Sequence, residues 1–214
     1  MGRRATFTRM LAAIVCGCGV VLAAPAGAGQ AGGPAQAGAD QVLIIIDIQN
    51  FYFEGGSLPL TGPVEAARQA RRVLDRFRER HLPVVHVRHV PASGTVTAQY
   101  DIRPEVAPVA GERVVEKRYA NSFRDTPLLE ILRGLGAKKL VIAGMQTHMC
   151  VEAAARAAAD LGFEVTVVAD ACATRALDYG GVQAPAAQVH ASTLAALKGT
   201  YAKIVTADEL LAVR

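Results

Sequence analysis

The chain lacks the charge pattern of a nucleic-acid-binding protein. Its formal net charge is +4 over 214 residues, but Arg3, Arg4 and Arg9 lie in an N-terminal leader and would be lost with it. The remaining chain is close to neutral and has no basic stripe, so the sequence gives no case for nucleic-acid binding. No internal repeat is visible either.

An apolar run long enough to cross a membrane is also missing. The apolar stretch within residues 1–28 is short and interrupted by glycines, and it follows a basic start and precedes the small residues 26–28. This pattern is typical of a signal peptide rather than a membrane span. We predict a signal peptide over 1–28, secretion or release into the periplasm, no membrane anchoring after cleavage, and a disordered linker over 29–40.

Cysteine is scarce, with 4 residues in the whole chain. Cleavage of the leader would remove Cys16 and Cys18 and leave Cys150 and Cys172. An exported protein can form disulfides, and a bond between these two cysteines would remove a free thiol from the domain. The sequence alone leaves both states open.

The rest of the chain, residues 41–214, has the pattern of one α/β domain. Apolar, β-branched runs alternate with segments of helical periodicity. Strands are predicted over 41–46, 83–88, 113–117, 139–143, 162–169 and 202–206, and helices over 63–80, 126–133, 151–161 and 182–198. Such alternation predicts a central, mostly parallel six-stranded sheet with right-handed crossovers.

The stretch 144–152 carries a cysteine between a predicted strand and a predicted helix. A thiol at Cys150 would lie at the positive end of the helix dipole, which favours the thiolate. Backbone N–H groups of the turn would face a substrate. A nucleophile beside anion-stabilising donors is what acyl transfer requires. The alternative is a buried structural cysteine.

Two charged residues stand at the ends of other predicted strands. Asp47 follows the first strand and Lys117 ends the third. Open α/β sheets place ligand sites at the carboxyl ends of their strands, so one sheet edge would gather both side chains near Cys150. The alternatives are a helix-capping acid at Asp47 and a surface lysine at Lys117.

The loops beside this edge supply candidate substrate contacts. Long loops in compact domains are often functional, and residues 51–58 and 91–108 form two such segments. The candidates are Gln49, Phe51, Tyr100, Arg103 and Tyr119. The aromatic residues that start at Phe51 have two interpretations, as a pocket wall or as packing against the sheet.

Three separate motifs together resemble those of the isochorismatase-like cysteine hydrolases. They are Asp47-Ile-Gln49, Lys117 within 114–118, and the stretch 144–151. The resemblance covers about 42–205, and residues 170–174 and His190 also match positions where that family has similar residues. It implies a three-layer α/β/α fold and a homo-oligomer.

The same resemblance assigns roles to the motif residues. It implies an Asp-Lys-Cys triad in which Cys150 is the nucleophile, Asp47 is the general base and then acid, and Lys117 favours the thiolate. It also implies a cis peptide bond between Met145 and Gln146. The N–H groups of Gln146 and Cys150 would then form the oxyanion hole.

Departures from the family pattern narrow the expected chemistry. Nicotinamidases carry an Asp-x-His metal motif after the second strand, whereas residues 86–90 read His-Val-Arg-His-Val. We therefore predict no metal, no cofactor and a substrate other than nicotinamide. Isochorismatases that cleave a vinyl ether lack the cysteine nucleophile, so Cys150 favours cleavage of a C–N bond.

The expected substrate is a small amide, lactam or ureido compound. The central segment is more similar to the streptothricin-hydrolase-like branch than to the nicotinamidases. Two alternatives stay open, a non-catalytic small-molecule binder on the same scaffold and a hydrolase of an ester or vinyl ether.

Overall fold

A computed structural model of the protein describes Gly2 and residues 40–212. The predicted signal peptide, apart from Gly2, and the predicted linker up to residue 39 lie outside the described residues. The strands are β1 (Gln41–Ile46), β2 (Val84–His89), β3 (Arg113–Lys117), β4 (Lys139–Met145), β5 (Glu164–Ala173), β6 (Leu177–Tyr179), β7 (Val182–Ala184) and β8 (Lys203–Val205). The helices are α1 (Pro63–Glu79), α2 (Leu128–Gly134), α3 (Glu152–Asp160), α4 (Ala186–Leu197) and α5 (Ala207–Ala212).

Six of the strands form one sheet in the order β3-β2-β1-β4-β5-β8. Every pairing in this sheet is parallel. The central strand β1 is buried from Val42 to Ile46, as expected for a continuous apolar run covered on both faces. The predicted six-stranded sheet is confirmed.

Helices cover both faces of the sheet. On one face, α1 and α5 pack against it through residues such as Val73, Leu74 and Ala207. On the other face, α2, α3 and α4 contribute residues such as Leu132 and Leu197. The alanines of α3 let that helix lie close to the strands. The three-layer α/β/α fold is thereby confirmed.

The predicted helix over 182–198 starts later than expected. Its first residues belong to β7, which pairs antiparallel with β6. The two strands are joined by Gly180 and Gly181, which have φ of 60° and 79°. A two-residue turn with positive φ at both positions favours glycine, and it closes a hairpin before α4 begins. The short helix α5 was also absent from the predicted elements.

Within residues 40–212, no helix is long and apolar enough to cross a membrane.

Candidate active site

The carboxyl edge of the sheet brings Asp47, Lys117 and Cys150 together. Asp47 follows β1, Lys117 ends β3, and Cys150 lies in the turn after β4. The Nζ atom of Lys117 is 2.6 Å from Oδ2 of Asp47 and 3.2 Å from Sγ of Cys150. All three residues are buried, with relative exposures of 0%, 1% and 7%. One ammonium group therefore contacts both a carboxylate and a thiol.

The backbone around these residues is held in uncommon conformations. Asp47 has a φ of 52°, in the left-handed region that non-glycine residues rarely adopt. Gly144 has a φ of 141°, and a Cβ atom there would lie 2.0 Å from the carbonyl oxygen of Ile46. Only glycine lets β4 approach β1 this closely. Strained backbone of this kind often accompanies functional sites.

The turn that carries Cys150 is one wide helical turn over Thr147–Val151. The peptide bond between Met145 and Gln146 is cis. The carbonyl of Gln146 accepts N–H groups from Met149 at 3.1 Å and from Val151 at 3.2 Å. These two donors flank Cys150, and α3 continues directly from this turn.

The thiol of Cys150 is neutral in the free protein. Burial and then the charge of Asp47 raise its pKa, Lys117 lowers it, and the net value is about 12. Lys117 thus favours the thiolate, as the resemblance implies. Loss of water around the sulfur and the neighbouring carboxylate outweigh its effect on the pKa.

Lys117 is the positively charged member of the site. Burial lowers its pKa, but Asp47 and Cys150 raise it more, so the net pKa lies above the usual value. Asp47 contacts the ammonium of Lys117 at 2.6 Å and the thiol of Cys150, and no other described residue bonds its carboxylate. A carboxylate with unused acceptor capacity thus lies beside a protonated thiol.

Tyr52 is a further residue of this site that sequence reasoning missed. Its hydroxyl accepts a hydrogen bond from Nε2 of Gln146 at 3.3 Å. Burial raises the pKa of the phenol, and the charges of Asp47 and Cys150 raise it further, so Tyr52 stays protonated. The aromatic loop 51–58 contained the signal, but the sequence did not distinguish Tyr52 from the neighbouring Phe51.

A cavity of about 310 Å³ lies at the end of β3, and neither Asp47 nor Cys150 lines it. Lys117 and Tyr119 both contribute to its wall. The guanidinium of Arg124 lies 3.8 Å from the ring centre of Tyr119. Of the five predicted substrate contacts, Tyr119 is the one that lines this cavity.

Gln49 holds backbone in place, and its role as a substrate contact stays a prediction. Its Nε2 donates to the carbonyls of His89 at 3.0 Å and Tyr100 at 2.6 Å, and its Oε1 accepts the N–H of His89 at 2.9 Å. Both amide donors are used. Gln49 therefore ties the end of β1 to the end of β2 and to the following loop.

Phe51, Tyr100 and Arg103 are likewise engaged with neighbouring protein groups. The ring of Phe51 is buried and lies 5.3 Å from that of Tyr100, centre to centre. Arg103 pairs with Glu105 at 2.7 Å and lies 4.4 Å above the ring of Phe53. These contacts support the packing interpretation of the aromatic loop. The substrate roles of Phe51, Tyr100 and Arg103 stay predictions.

Two histidines anchor the turn that precedes Cys150. Nδ1 of His190 on α4 lies 2.9 Å from Oγ1 of Thr147. Nδ1 of His148 lies 2.6 Å from Oγ1 of Thr174, just beyond β5. Burial lowers the pKa of both histidines, so both are neutral at neutral pH. The turn is thus fixed to two different elements.

Both cysteines of the described domain are free thiols. Cys150 and Cys172 are buried and are not joined by a disulfide. Residues 40–212 also contain no group of three or more His, Cys, Asp or Glu side chains that could hold a metal ion.

Comparisons of this chain with known proteins all find the same family. The isochorismatase domain pattern matches residues 41–209. An uncharacterized isochorismatase family protein of Bacillus subtilis, YddQ, is 39% identical over 79% of this chain and 97% of its own. The secreted isochorismatase effector Isc1 of Verticillium dahliae is 37% identical over 80% of this chain and 90% of its own.

A solved structure and a named hydrolase extend this similarity. The crystal structure of an isochorismatase from Pseudomonas putida has a TM-score of 0.76 and 35% identity, covering 83% of this chain and 93% of that one. Streptothricin hydrolase of Streptomyces noursei is 34% identical over 63% of this chain and 50% of its own length.

Proposed function

The chain belongs to the isochorismatase family of hydrolases, and from this we propose that it is an exported cysteine amidohydrolase of small molecules. The observation that carries the proposal is the position of Lys117, whose ammonium contacts both Asp47 at 2.6 Å and Cys150 at 3.2 Å. A nucleophile, a proton acceptor and a fixed positive charge within hydrogen-bond reach form the usual arrangement for covalent acyl transfer.

The first half of the reaction starts from the neutral thiol. Asp47 accepts the proton of Cys150 as the sulfur attacks the substrate carbonyl, so a free thiolate need not accumulate. The C–N bond then breaks, the leaving nitrogen takes the proton from Asp47, and ammonia or an amine departs. The acyl group remains on Cys150 as a thioester.

The second half uses the same carboxylate in the opposite order. Asp47 takes a proton from water, the resulting hydroxide attacks the thioester, and the sulfur leaves and regains its proton. Lys117 stays cationic throughout and balances the charge of Asp47 or of the departing sulfur. The products are the free acid and the amine, and the enzyme returns to its starting state.

The N–H groups of Gln146 and Cys150 would stabilise the oxyanion in both halves. Removing one such donor costs about 2.7–4 kcal/mol in well-studied enzymes. Met149 and Val151 direct their own N–H groups to the carbonyl of Gln146. This bonding fixes the backbone of the turn on both sides of the nucleophile.

Cleavage of a C–N bond is favoured by the presence of a cysteine and by the similarity to streptothricin hydrolase. Export is proposed from the leader in residues 1–28, and a relative of this chain is described as secreted. A hydrolase of esters remains the second candidate, because the same thioester chemistry acts on them.

The test is release of ammonia or amine by the mature protein from a panel of amides, lactams and ureido compounds, each beside its matching ester. We expect chelator-insensitive release that Cys150→Ala abolishes, with amides preferred to esters. Cys172→Ala is the matched control and should retain activity. An active Cys150→Ala protein would contradict the mechanism, and loss of activity with chelator would contradict the metal-free reaction.

A further inference from the structure

Two side-chain amides are buried in the described part of the chain, and they differ in how fully they are bonded. Gln49 and Gln146 have relative exposures of 0% and 5%. Both amide donors of Gln49 are used, and its Oε1 accepts the N–H of His89. The side chain of Gln146 has one hydrogen bond, from Nε2 to the hydroxyl of Tyr52 at 3.3 Å. Its Oε1 is buried and has no partner among the described residues.

Gln146 belongs to the turn that carries the nucleophile. It follows β4 directly, and its backbone carbonyl accepts the N–H groups of Met149 and Val151, the residues on either side of Cys150. This bonding fixes the main chain of Gln146 relative to Cys150. The side chain of Gln146 therefore starts from a defined position near the sulfur.

The contact with Tyr52 shows where this side chain lies. Burial has the largest effect on the pKa of Tyr52 and raises it, and the charges of Asp47 and Cys150 raise it further. The phenol of Tyr52 is thus within electrostatic reach of both reacting groups. Because Nε2 of Gln146 is bonded to its hydroxyl, the amide of Gln146 lies in the space shared by Tyr52, Asp47 and Cys150.

The free oxygen of Gln146 needs a hydrogen-bond donor from outside the chain. A buried acceptor without a partner costs free energy, and a ligand that donates to it recovers that cost. The carboxylate of Asp47 is a second acceptor in the same space, since its contacts among the described residues are with Lys117 and Cys150. Two acceptors beside a nucleophile match a group with N–H bonds. An amide or ureido nitrogen carries such hydrogens, whereas the bridging oxygen of an ester carries none.

We propose that Oε1 of Gln146 accepts a hydrogen bond from the nitrogen of the scissile C–N bond, so that the substrates are primary or secondary amides and ureido compounds rather than esters or tertiary amides. This inference rests on the proposed function and makes it more specific. Gln146 is a substrate-binding residue in this scheme, and its side chain sets the choice between amide and ester.

The hydrogen bond would also orient the leaving group. With one N–H held by Gln146, the nitrogen is kept close to Asp47, which gives it the proton on departure. The bond persists when the carbonyl carbon becomes tetrahedral, because the nitrogen keeps that hydrogen until it leaves. An ester in the same position would bury Oε1 of Gln146 unpaired, and a site built to bond a substrate N–H rejects an analogue that lacks it.

The first test compares amides with esters of the same acid. The probes are acetamide, butyramide and benzamide, each beside its N-methylamide and its methyl ester, and release of the shared acid product is measured by chromatography. In Gln146→Met, we expect kcat/KM for the amides to fall by about 10- to 100-fold, since their N–H is then buried without an acceptor. The value for the esters should change by less than about threefold, because they never used this oxygen.

Gln188→Met is the matched control, because it makes the same change at an exposed position on α4. It should keep the wild-type ratio of amide to ester hydrolysis, and thermal melting checks that both variants are folded. An unchanged ratio in Gln146→Met would overturn the assignment of Gln146. An equal loss for amides and esters would also overturn it, since the side chain would then act on the carbonyl that both share. Either result leaves the cysteine amidohydrolase standing, because both require turnover.

A binding experiment tests the same hydrogen bond without turnover. Butyramide and benzamide, each beside its N,N-dimethylamide, are titrated calorimetrically into Cys150→Ala and into Cys150→Ala/Gln146→Met. We expect the preference for the primary amide to fall by at least about fivefold when Gln146 is replaced. The bulk of the two methyl groups acts equally in both proteins and cancels in this comparison.

The outcomes of the two experiments separate the inference from the reaction. Absence of primary-amide binding to Cys150→Ala, or the same preference in both proteins, contradicts the role of Gln146. Absence of acid release from every probe, with a preference for primary amides that depends on Gln146, would contradict only the proposed reaction.

Discussion

Two buried charged clusters in this protein differ in how completely their carboxylates are bonded. The first is the catalytic cluster of Asp47, Lys117 and Cys150. The second is the supporting cluster of Arg78, His86 and Glu112, which joins α1, β2 and the start of β3. Each contains a carboxylate that is largely shielded from water, so their bonding can be compared directly.

The carboxylate of the supporting cluster is surrounded by donors. Glu112 receives bonds from Arg78 at 2.7 and 2.8 Å, from the N–H of Val109 at 3.0 Å, and contacts Nε2 of His86 at 2.8 Å. Burial raises its pKa, but these donors lower it more, to about 2. This cluster therefore contributes stability, and its carboxylate has no capacity left for a ligand, although Nδ1 of His86 lacks a partner among the described residues.

The catalytic cluster is bonded far less completely. Among the described residues, the carboxylate of Asp47 contacts only Lys117 and Cys150, and Oε1 of the neighbouring Gln146 lacks a partner. Buried groups without partners cost stability. The comparison teaches that this protein saturates the carboxylate that supports the fold and leaves the reactive one available for a proton.

The largest expected effect comes from removing the proton acceptor. Asp47→Asn should lower kcat/KM by about 10⁴-fold, because a thiol with a pKa of about 12 then has no base to take its proton. Ammonia release from the best substrate of the panel measures this. Circular dichroism checks that the variant is folded, and activity within about tenfold of wild type would remove Asp47 from the mechanism.

A thiol that is protonated at rest should also react slowly with alkylating agents. The rate of Cys150 modification by iodoacetamide should rise about tenfold per pH unit from neutral pH to pH ~10, without the plateau of an ordinary cysteine near its pKa of about 8.5. Intact mass spectrometry follows the reaction, with Cys150→Ala to identify any modification of Cys172. A plateau at or below pH ~8 would show a thiolate poised at rest.

Removing the cation tests the cost of incomplete bonding. Lys117→Met leaves the buried carboxylate of Asp47 without its partner, so the free energy of unfolding should fall by about 3–5 kcal/mol. The double variant Asp47→Asn/Lys117→Met removes both charges and should recover most of this loss while staying inactive. Urea denaturation compares them, and a single variant as stable as the double would contradict the account.

A mutation in the supporting cluster should lower the stability of the protein without lowering its activity. Glu112→Gln should lower the free energy of unfolding by about 2 kcal/mol, since it weakens hydrogen bonds to a charged group. The folded variant should keep its activity. Glu116→Gln is the control, because Glu116 forms a more exposed pair with Arg88, and it should cost less than about 1 kcal/mol.

The stabilisation of the fold by Glu112 should depend on pH in one direction. The pKa of Glu112 is depressed in the folded protein to about 2, so its stabilisation is present above the unfolded pKa of about 4.3. It is lost as the pH falls from there toward 2. Urea midpoints measured across this range should fall less steeply in Glu112→Gln, and parallel curves would assign the stabilisation to other groups.

Much of the fold can be predicted from local sequence patterns. The apolar run of β1 and the helical periodicity of α1 each favour one structure independently of the neighbouring segments. The parallel order of the sheet follows from their alternation. Where local signals competed, as in residues 182–184, the Gly180-Gly181 turn favoured a hairpin over the extension of a helix.

The sequence indicated three of the groups at the site because parallel strands end at a common edge. Asp47, Lys117 and Cys150 each stand at or just after such an end, and the structure brings them into contact. The same reasoning missed Tyr52, because its hydrogen bond runs to Gln146, which is distant in sequence.

The sequence by itself determined the order of the elements, the glycine that lets β4 approach β1, and the residue types at the sheet edge. Only the tertiary structure decided the pKa values of these side chains. The pKa of Cys150 depends on how much water the packed layers exclude, and that of Glu112 depends on which donors fold near it. Both are sums over neighbours that are far apart in the chain, and no local pattern contains them.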